Sequence, residues 1–199
     1  MLLLGALSGC APTAVVGPQV VETTRQPRIE TRAGAPAVKA DRPEWKVGYE
    51  WQYSWKDHSD NGTLTKEIIR EVPFAGVPSF VLKRAKSEDF YTKDVLGLLG
   101  TMSGGRITVK RTAPFQALSW PLEVGKEWSN SYIVQRLEEK SSESLEHRVV
   151  VTKLEPVEVS AGTFDAFKIE IYNARTGTLL NEYWYAPRGQ VVREISSLQ

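Results

Sequence analysis

The stretch WKVGYEWQYSW, residues 45–55, alternates large apolar side chains with small or polar ones. Successive side chains of a β-strand point to opposite faces, whereas a helix would scatter this pattern around its circumference. One face of a strand over 45–55 would therefore carry Trp45, Val47, Tyr49, Trp51, Tyr53 and Trp55. The stretch predicts a long β-strand whose aromatic face is buried.

Similar runs fill the chain up to residue 196. Turn residues separate them, and no intervening stretch is long enough for the crossover helices that parallel strands need. Residues 94–102 favour at most one or two helical turns, weakened by Gly97 and Gly100. Further strands are predicted at 63–72, 79–87, 89–93, 106–112, 127–139, 145–159, 163–174, 179–186 and 190–196.

Ten consecutive strands with one aromatic face have to enclose that face. The prediction is an all-β, mainly antiparallel fold: a strongly curved sheet, half-barrel or barrel, with a two-sheet sandwich as the alternative. The chain of 199 residues is 41% hydrophobic, which suffices for one such domain. Its single cysteine excludes an internal disulfide, so packing and hydrogen bonds must hold the fold.

The sequence also echoes itself. Val-Gly-Tyr-Glu-Trp at 47–51 recurs as Val-Gly-Lys-Glu-Trp at 124–128, and each copy opens a long predicted strand. Two weaker echoes follow in the same order, 88–91 with 182–185 and 105–109 with 189–193. They predict two pseudo-repeated five-stranded halves, over 44–112 and 120–199. Trp51 would then be equivalent to Trp128, and Phe90 to Trp184.

The first residues differ from the rest. A short apolar run ends in Leu7-Ser8-Gly9-Cys10, which resembles the lipobox of bacterial lipoproteins: an apolar residue, two small residues and a cysteine. The resemblance implies that 1–9 is the remnant of a signal peptide and that Cys10 is lipidated, with palmitate-like chains. No Lys or Arg precedes Cys10, so a charged start is expected upstream. The alternative is a core segment with a buried free thiol.

The resemblance also implies a location. Acyl chains on Cys10 would anchor the protein in a bacterial envelope membrane. Ala11, which follows the cysteine, resembles an outer-membrane address, and the body would then face the periplasm. The next residues hold five of the eleven prolines and no aromatic residue. Residues 10–43 are therefore predicted as a disordered, lipid-anchored tether to a single β-rich domain over 44–199, with a folded arm as the alternative.

Composition excludes several functions. Basic and acidic residues number 25 and 24, and a net charge of +1 without a basic stripe predicts no nucleic-acid partner. His58 and His147 lack metal-ligand spacing, and no G-x-S-x-G motif occurs. We therefore predict no cofactor, no metal and no enzymatic activity.

One apolar, glycine-rich stretch lies between predicted strands, at 95–102. It is expected either to plug the sheet as ordinary core or to form an exposed lid or a membrane-touching loop. As an exposed loop it would bind an apolar ligand. The candidate ligand-binding residues are Val95, Leu96, Leu98, Leu99 and Met102.

The second half carries Pro121-Leu122-x-Val124-Gly125-Lys126-x-Trp128, the run Ala161-Gly162-Thr163-Phe164-Asp165-Ala166-Phe167, and Tyr183-Trp184-Tyr185-Ala186-Pro187. Together these motifs resemble uncharacterised bacterial envelope proteins whose domains are similar to the LolA/LolB-like lipoprotein-carrier superfamily. The resemblance covers about 120–197 and implies a curved antiparallel half-barrel that can hold an acyl chain. It assigns no ligand residue, because the matching motifs are turns and core positions.

Two functional hypotheses follow. The first is a lipid-anchored envelope protein with a non-enzymatic binding or structural role, its partner being an apolar ligand or another envelope protein. The alternative is a carrier or insertion factor for lipid or lipoprotein that uses the concave sheet face and the loop 95–102. A cavity of several hundred cubic ångströms favours ligand binding, whereas a filled core with an apolar surface patch favours docking.

Overall fold

The fold of the chain is one antiparallel sheet, seen in a computed structural model that describes residues 38–56, 61–187 and 190–196. Among these residues each strand pairs only with its neighbours in sequence, so the sheet is a meander with β1 and β11 at its open edges. The predicted all-β, antiparallel class is confirmed. The strands are β1 (Glu50–Lys56), β2 (Asn61–Phe74), β3 (Val77–Arg84), β4 (Ser87–Thr92), β5 (Leu98–Ser103), β6 (Arg106–Phe115), β7 (Glu127–Arg136), β8 (Ser141–Val159), β9 (Gly162–Asn173), β10 (Leu179–Ala186) and β11 (Gln190–Ser196).

The first predicted strand begins later than its alternation suggested. Gly48 has a φ of 91°, a left-handed conformation that favours glycine, and the chain turns there. Trp45 folds back so that its ring lies 5.7 Å from that of Trp51, while Val47 is exposed. The prediction of a continuous strand from residue 45 is therefore wrong, because an alternating pattern does not reveal a reversal at its glycine.

The structure has an eleventh strand where the sequence suggested helical turns. A single turn, closed by the Leu96 amide donating to the Thr92 carbonyl at 3.0 Å, is followed by β5. At Gly100 an added Cβ would lie 2.3 Å from Cζ of Phe74, so this glycine serves close packing. The second helical turn and the exposed lid or loop over the whole of 95–102 were wrong predictions, since Leu98–Ser103 forms a strand that pairs with β4 and β6.

The first sequence echo has a counterpart in backbone geometry. Gly48 and Gly125 share a φ of 91°, and their amides donate to the carbonyls of Ile68 and Val151 at 2.8 and 2.9 Å. In turn, the amides of Ile68 and Val151 donate to the carbonyls of the residues after each glycine, Tyr49 and Lys126, both at 2.9 Å. The pairing register then shifts directly after Ile68 in β2 and after Val151 in β8. The two halves therefore open with the same turn and the same strand irregularity.

The second echo also agrees with strand order, but the third does not. Phe90 in β4 and Trp184 in β10 each lie three strands after the opening strand, and both are buried in small clusters away from the cavity described below. The predicted equivalence of 105–109 with 189–193 is wrong, because β5 intervenes only in the first half. Among the residues that the structure describes, the first half has six strands and the second half has five.

The sheet curves until its two halves face each other. Register shifts of the kind seen in β2 and β8 bend strands locally, and Lys66 of β2 lies 3.9 Å from Glu194 of β11. The largest buried cluster centres on the second half and includes Phe167, Ile169 and Leu122. Leu122 exchanges backbone hydrogen bonds with Ala40, so residues from 38 onward, which composition assigned to the tether, belong to the folded body.

Candidate functional site

The concave face of the sheet encloses a cavity of about 360 Å³. This volume lies in the range typical of small-molecule sites. Both halves of the chain contribute to its wall, which is mainly apolar and aromatic. The first half contributes Trp45, Trp51, Tyr53, Leu82, Tyr91 and Leu98, and the second half contributes Trp120, Tyr183, Tyr185 and Val191.

One wall of the cavity is the connection between β6 and β7, residues 116–126, which we call the strap. Its residues Ala117, Leu118 and Trp120 line the cavity. Its position is fixed by β7: Asn130 accepts from the Gln116 amide at 2.9 Å and donates to the Gln116 carbonyl at 3.1 Å. Sequence reasoning missed the strap because it carries no alternation, and these side-chain bonds have no sequence signature.

The strap is also held at its far end. Lys126 donates through Nζ to the carbonyls of Ser119 and Pro121, at 2.7 and 2.8 Å. Trp128, the predicted counterpart of Trp51, donates through Nε1 to the Gln116 carbonyl at 2.9 Å. The wall that holds Trp120 is therefore fixed by hydrogen bonds at both ends.

Two ion pairs lie in the cavity wall. Asp89, whose side chain is 3% exposed, accepts from Arg84 Nε at 2.6 Å and from Thr101 Oγ1 at 2.8 Å. Lys66 and Glu194 form the second, longer pair at 3.9 Å. Since each cation is matched by a carboxylate, this wall has no net charge.

The tyrosines of the cavity remain protonated at neutral pH. Burial raises the pKa of Tyr53 to about 12. Burial, with the nearby carboxylate of Asp89, raises the pKa of Tyr91, and burial with Glu194 does the same for Tyr183. Burial alone raises the pKa of Tyr185. The four phenols in the cavity wall are therefore neutral.

The structure divides the predicted ligand-binding residues between the two faces of the sheet. Leu96 and Leu98 line the cavity. Leu99 and Met102 pack instead against Phe74 and its neighbours in a separate cluster. Val95 is half-buried and lies outside the cavity wall. Strand β5 explains the split: its register against β4 shifts at Leu99, so that Leu98 faces the cavity while Leu99 and Met102 face the other side. Cys10 and His58 lie outside the described residues.

A buried polar cluster lies beside the cavity wall, behind Phe115. The Tyr132 hydroxyl lies 3.2 Å from Nδ1 of His147, and the Phe115 ring packs against both rings. Burial and the charge of Arg111 lower the pKa of His147 below its ordinary 6.5, and the nearby Glu143 opposes that shift only in part. His147 is therefore a neutral hydrogen-bond partner of Tyr132 at pH 7.

We expect His147 to make stability depend on pH. Below about pH 6.5 the unfolded chain protonates this imidazole while the folded protein does not. The free energy of unfolding therefore decreases as the pH is lowered, until the pH falls below the lowered pKa of the folded protein. Urea unfolding at pH 8 and pH 6 should show this loss in the wild type and a smaller one in His147→Gln. An equal loss in both proteins would contradict the assignment.

Within the described ranges, no group of three or more His, Cys, Asp or Glu side chains has a metal-binding arrangement. The same residues contain no helix that is both long and apolar enough to cross a bilayer. The site is therefore defined by an aromatic cavity with balanced charge. No known family model, curated protein or solved structure matches this chain.

Proposed function

We propose that the protein is a lipid-anchored protein of the bacterial envelope that binds a small, mainly apolar ligand in its concave cavity. The observation that carries the proposal is the cavity of about 360 Å³ with its aromatic and aliphatic wall. A filled core would have favoured a purely structural or docking role, whereas this wall leaves room for a ligand.

The size of the cavity limits the ligand. The cavity volume of about 360 Å³ lies near the lower end of the range of small-molecule sites. One acyl chain of medium length, or one compact apolar molecule, fits this volume, whereas a whole phospholipid does not. The proposal therefore favours binding or carriage of a single chain, which is the carrier hypothesis in its simplest form.

A binding role is also favoured over catalysis. Among the described residues that line the cavity there is no Ser, Thr, Cys or His to act as nucleophile or imidazole base. Both acidic residues in the wall face a cation, Asp89 closely and Glu194 at longer range. The envelope location rests on the lipobox at 7–10, which agrees with a ligand drawn from a membrane.

The cavity can be filled by mutation. Ala117 lines it from the strap, so a phenyl group at this position should occupy the ligand's space. In Ala117→Phe we expect no bound ligand, whereas wild-type protein purified from bacterial cells should carry a small apolar ligand. Native mass spectrometry of the two proteins measures the difference.

Ile133→Phe is the matched control, because Ile133 lies on the outer surface of β7 and is 42% exposed. The control should retain the wild-type ligand. Wild-type protein that shows only its own mass, and that binds no added medium-chain compound in a fluorescence titration, would refute the proposed function.

A further inference from the structure

The charged residues of the cavity wall form one continuous row. Among the described residues that line the cavity, the charged ones are Lys66 of β2, Arg84 of β3, Asp89 of β4 and Glu194 of β11. Lys66 and Arg84 are direct cross-strand partners. Arg84 Nε donates to Asp89 at 2.6 Å, and Lys66 Nζ lies 3.9 Å from Glu194 Oε2. The row therefore runs from Asp89 to Glu194 and joins the first half of the sheet to its last strand.

This row lies at the mouth of the cavity. On β3, Arg84 is the last residue, whereas Leu82, two positions earlier on the same face, is buried. On β10, Tyr183 is the cross-strand partner of Glu194, whereas Tyr185, two positions further along, is buried. The side chains of Arg84 and Glu194 are 45% and 42% exposed. The cavity thus has a charged mouth that meets water and an apolar interior, which suits an amphiphile with its chain inside and its head group at the mouth.

The two ion pairs of the row differ in how closely their partners meet. Asp89 accepts hydrogen bonds from both Arg84 and Thr101, so this pair is closed. Lys66 Nζ and Glu194 Oε2, at 3.9 Å, are beyond hydrogen-bond distance, and both side chains are partly exposed. A single oxygen placed between these two atoms can bond to both of them.

The chemistry of the open pair indicates which oxygen fits. A hydroxyl can accept from the Lys66 ammonium and donate to the Glu194 carboxylate, whereas an ester carbonyl can only accept. An anionic head group would be attracted by Lys66 but repelled by Glu194, and a cationic head group would meet the opposite problem. Because the row carries no net charge, it favours neither ion.

We infer that the ligand is an amphiphile with an uncharged, hydroxylated head group, such as a glycerol monoester of a medium-chain fatty acid, whose hydroxyl bridges Lys66 and Glu194 at the cavity mouth. This inference rests on the proposed function and specifies the ligand class. The chain would occupy the apolar interior while the head group remains at the mouth. The cavity volume would then limit the length of the chain rather than the size of the head group.

The test compares four probes with the same ten-carbon chain: monodecanoylglycerol, methyl decanoate, decanoate and decyltrimethylammonium. Trp51 lines the cavity and is the cross-strand partner of Lys66, so intrinsic tryptophan fluorescence at pH 8 reports binding. We expect wild-type protein to bind monodecanoylglycerol roughly fivefold more tightly than methyl decanoate, the difference that about one additional hydrogen bond supplies. Both ionic probes should bind more weakly than the glycerol ester.

Two substitutions should change this order in opposite directions. In Lys66→Met, the glycerol and methyl esters should bind equally and decyltrimethylammonium several-fold more tightly than in the wild type, because Glu194 has lost its cation. In Glu194→Gln, the preference for the glycerol ester should also fall, and decanoate should gain several-fold. A variant that merely loosens the sheet would not exchange a cation for an anion in this way.

Lys83→Met is the matched control. Lys83 precedes Arg84 on β3, is exposed and lies outside the cavity wall. It removes the same charge from the same part of the sheet without touching the row. This variant should keep the wild-type order of the four probes.

The outcomes separate the inference from the proposed function. If the wild type binds the two esters equally, or if either folded variant keeps the wild-type ratio, the head-group site is refuted while ligand binding stands. Tightest binding of decanoate or of decyltrimethylammonium to the wild type would show a charged head group and overturn the inference. If none of the four probes binds, the proposed function itself fails.

Discussion

Cys10→Ser is expected to move nearly all of the protein from the membrane fraction to the soluble periplasmic fraction. The oxygen of serine cannot take the place of the sulfur that would be acylated in the proposed lipobox at 7–10. Each buried methylene contributes about 0.8 kcal/mol, so losing two or three chains removes far more than membrane binding requires. Fractionation of bacterial cells that express the chain with a signal peptide measures the effect.

Ser8→Ala is the control for this experiment, because alanine keeps a small residue in the proposed lipobox and leaves the cysteine in place. It should remain in the membrane fraction, and the mass of its N-terminal peptide should include fatty acid. If Cys10→Ser also stays in the membrane fraction, or if the wild-type thiol is free, the anchor and the proposed envelope role both fail.

Gly100→Ala is expected to lower the free energy of unfolding by about 3 kcal/mol, the upper part of the range for overpacked cores. The added Cβ would lie 2.3 and 2.5 Å from Cζ and Cε1 of Phe74 and 3.0 Å from the Val109 carbonyl oxygen. Phe74 cannot withdraw easily, since its ring is buried and packs 4.4 Å from that of Phe90. Urea unfolding at pH 8 measures the loss.

A second substitution tests the cause. Phe74→Leu shortens the side chain that the new methyl group would meet, so Gly100→Ala should cost much less in the Phe74→Leu background. The control is Ser103→Ala, at the exposed end of β5, the strand that contains Gly100. Gly76→Ala is unsuitable, because Gly76 has a φ of 82°, a conformation that strains alanine. Equal costs of Gly100→Ala in both backgrounds would show that the clash with Phe74 is not the cause.

The candidate site was only partly predictable from the sequence. Leu96 and Leu98 were expected to bind ligand and lie in the cavity wall, but Leu99 and Met102 point to the opposite cluster. The apolar run contains no alternation, because β5 is covered on both faces. In sequence, a strand that is buried on both sides looks like a buried loop or a short helix. Its two faces could not be told apart before the pairing with β4 and β6 was known.

The aromatic residues show that alternation predicts which residues share a face, but not which of them are buried. Alternation correctly grouped Trp51 and Tyr53, which both line the cavity. It also grouped them with Trp55, which is 41% exposed, and with Val47, which is 52% exposed. Side-chain alternation fixes which residues share a face, but it does not say where along the strand the opposite wall covers that face.

What the sequence determined by itself is local: ten of the strands, their antiparallel order, and the lipobox-like run at 7–10 on which the proposed anchor rests. These features depend on alternation, glycine conformations and short spacings, which a single stretch of chain contains. Only the tertiary structure decided that the sheet curves around a cavity, that the strap packs Trp120 against Tyr185, and that the charged residues of the wall form one row at the mouth. The cavity and its charged row come from how residues distant in sequence fill a shared volume, and no local pattern records that volume.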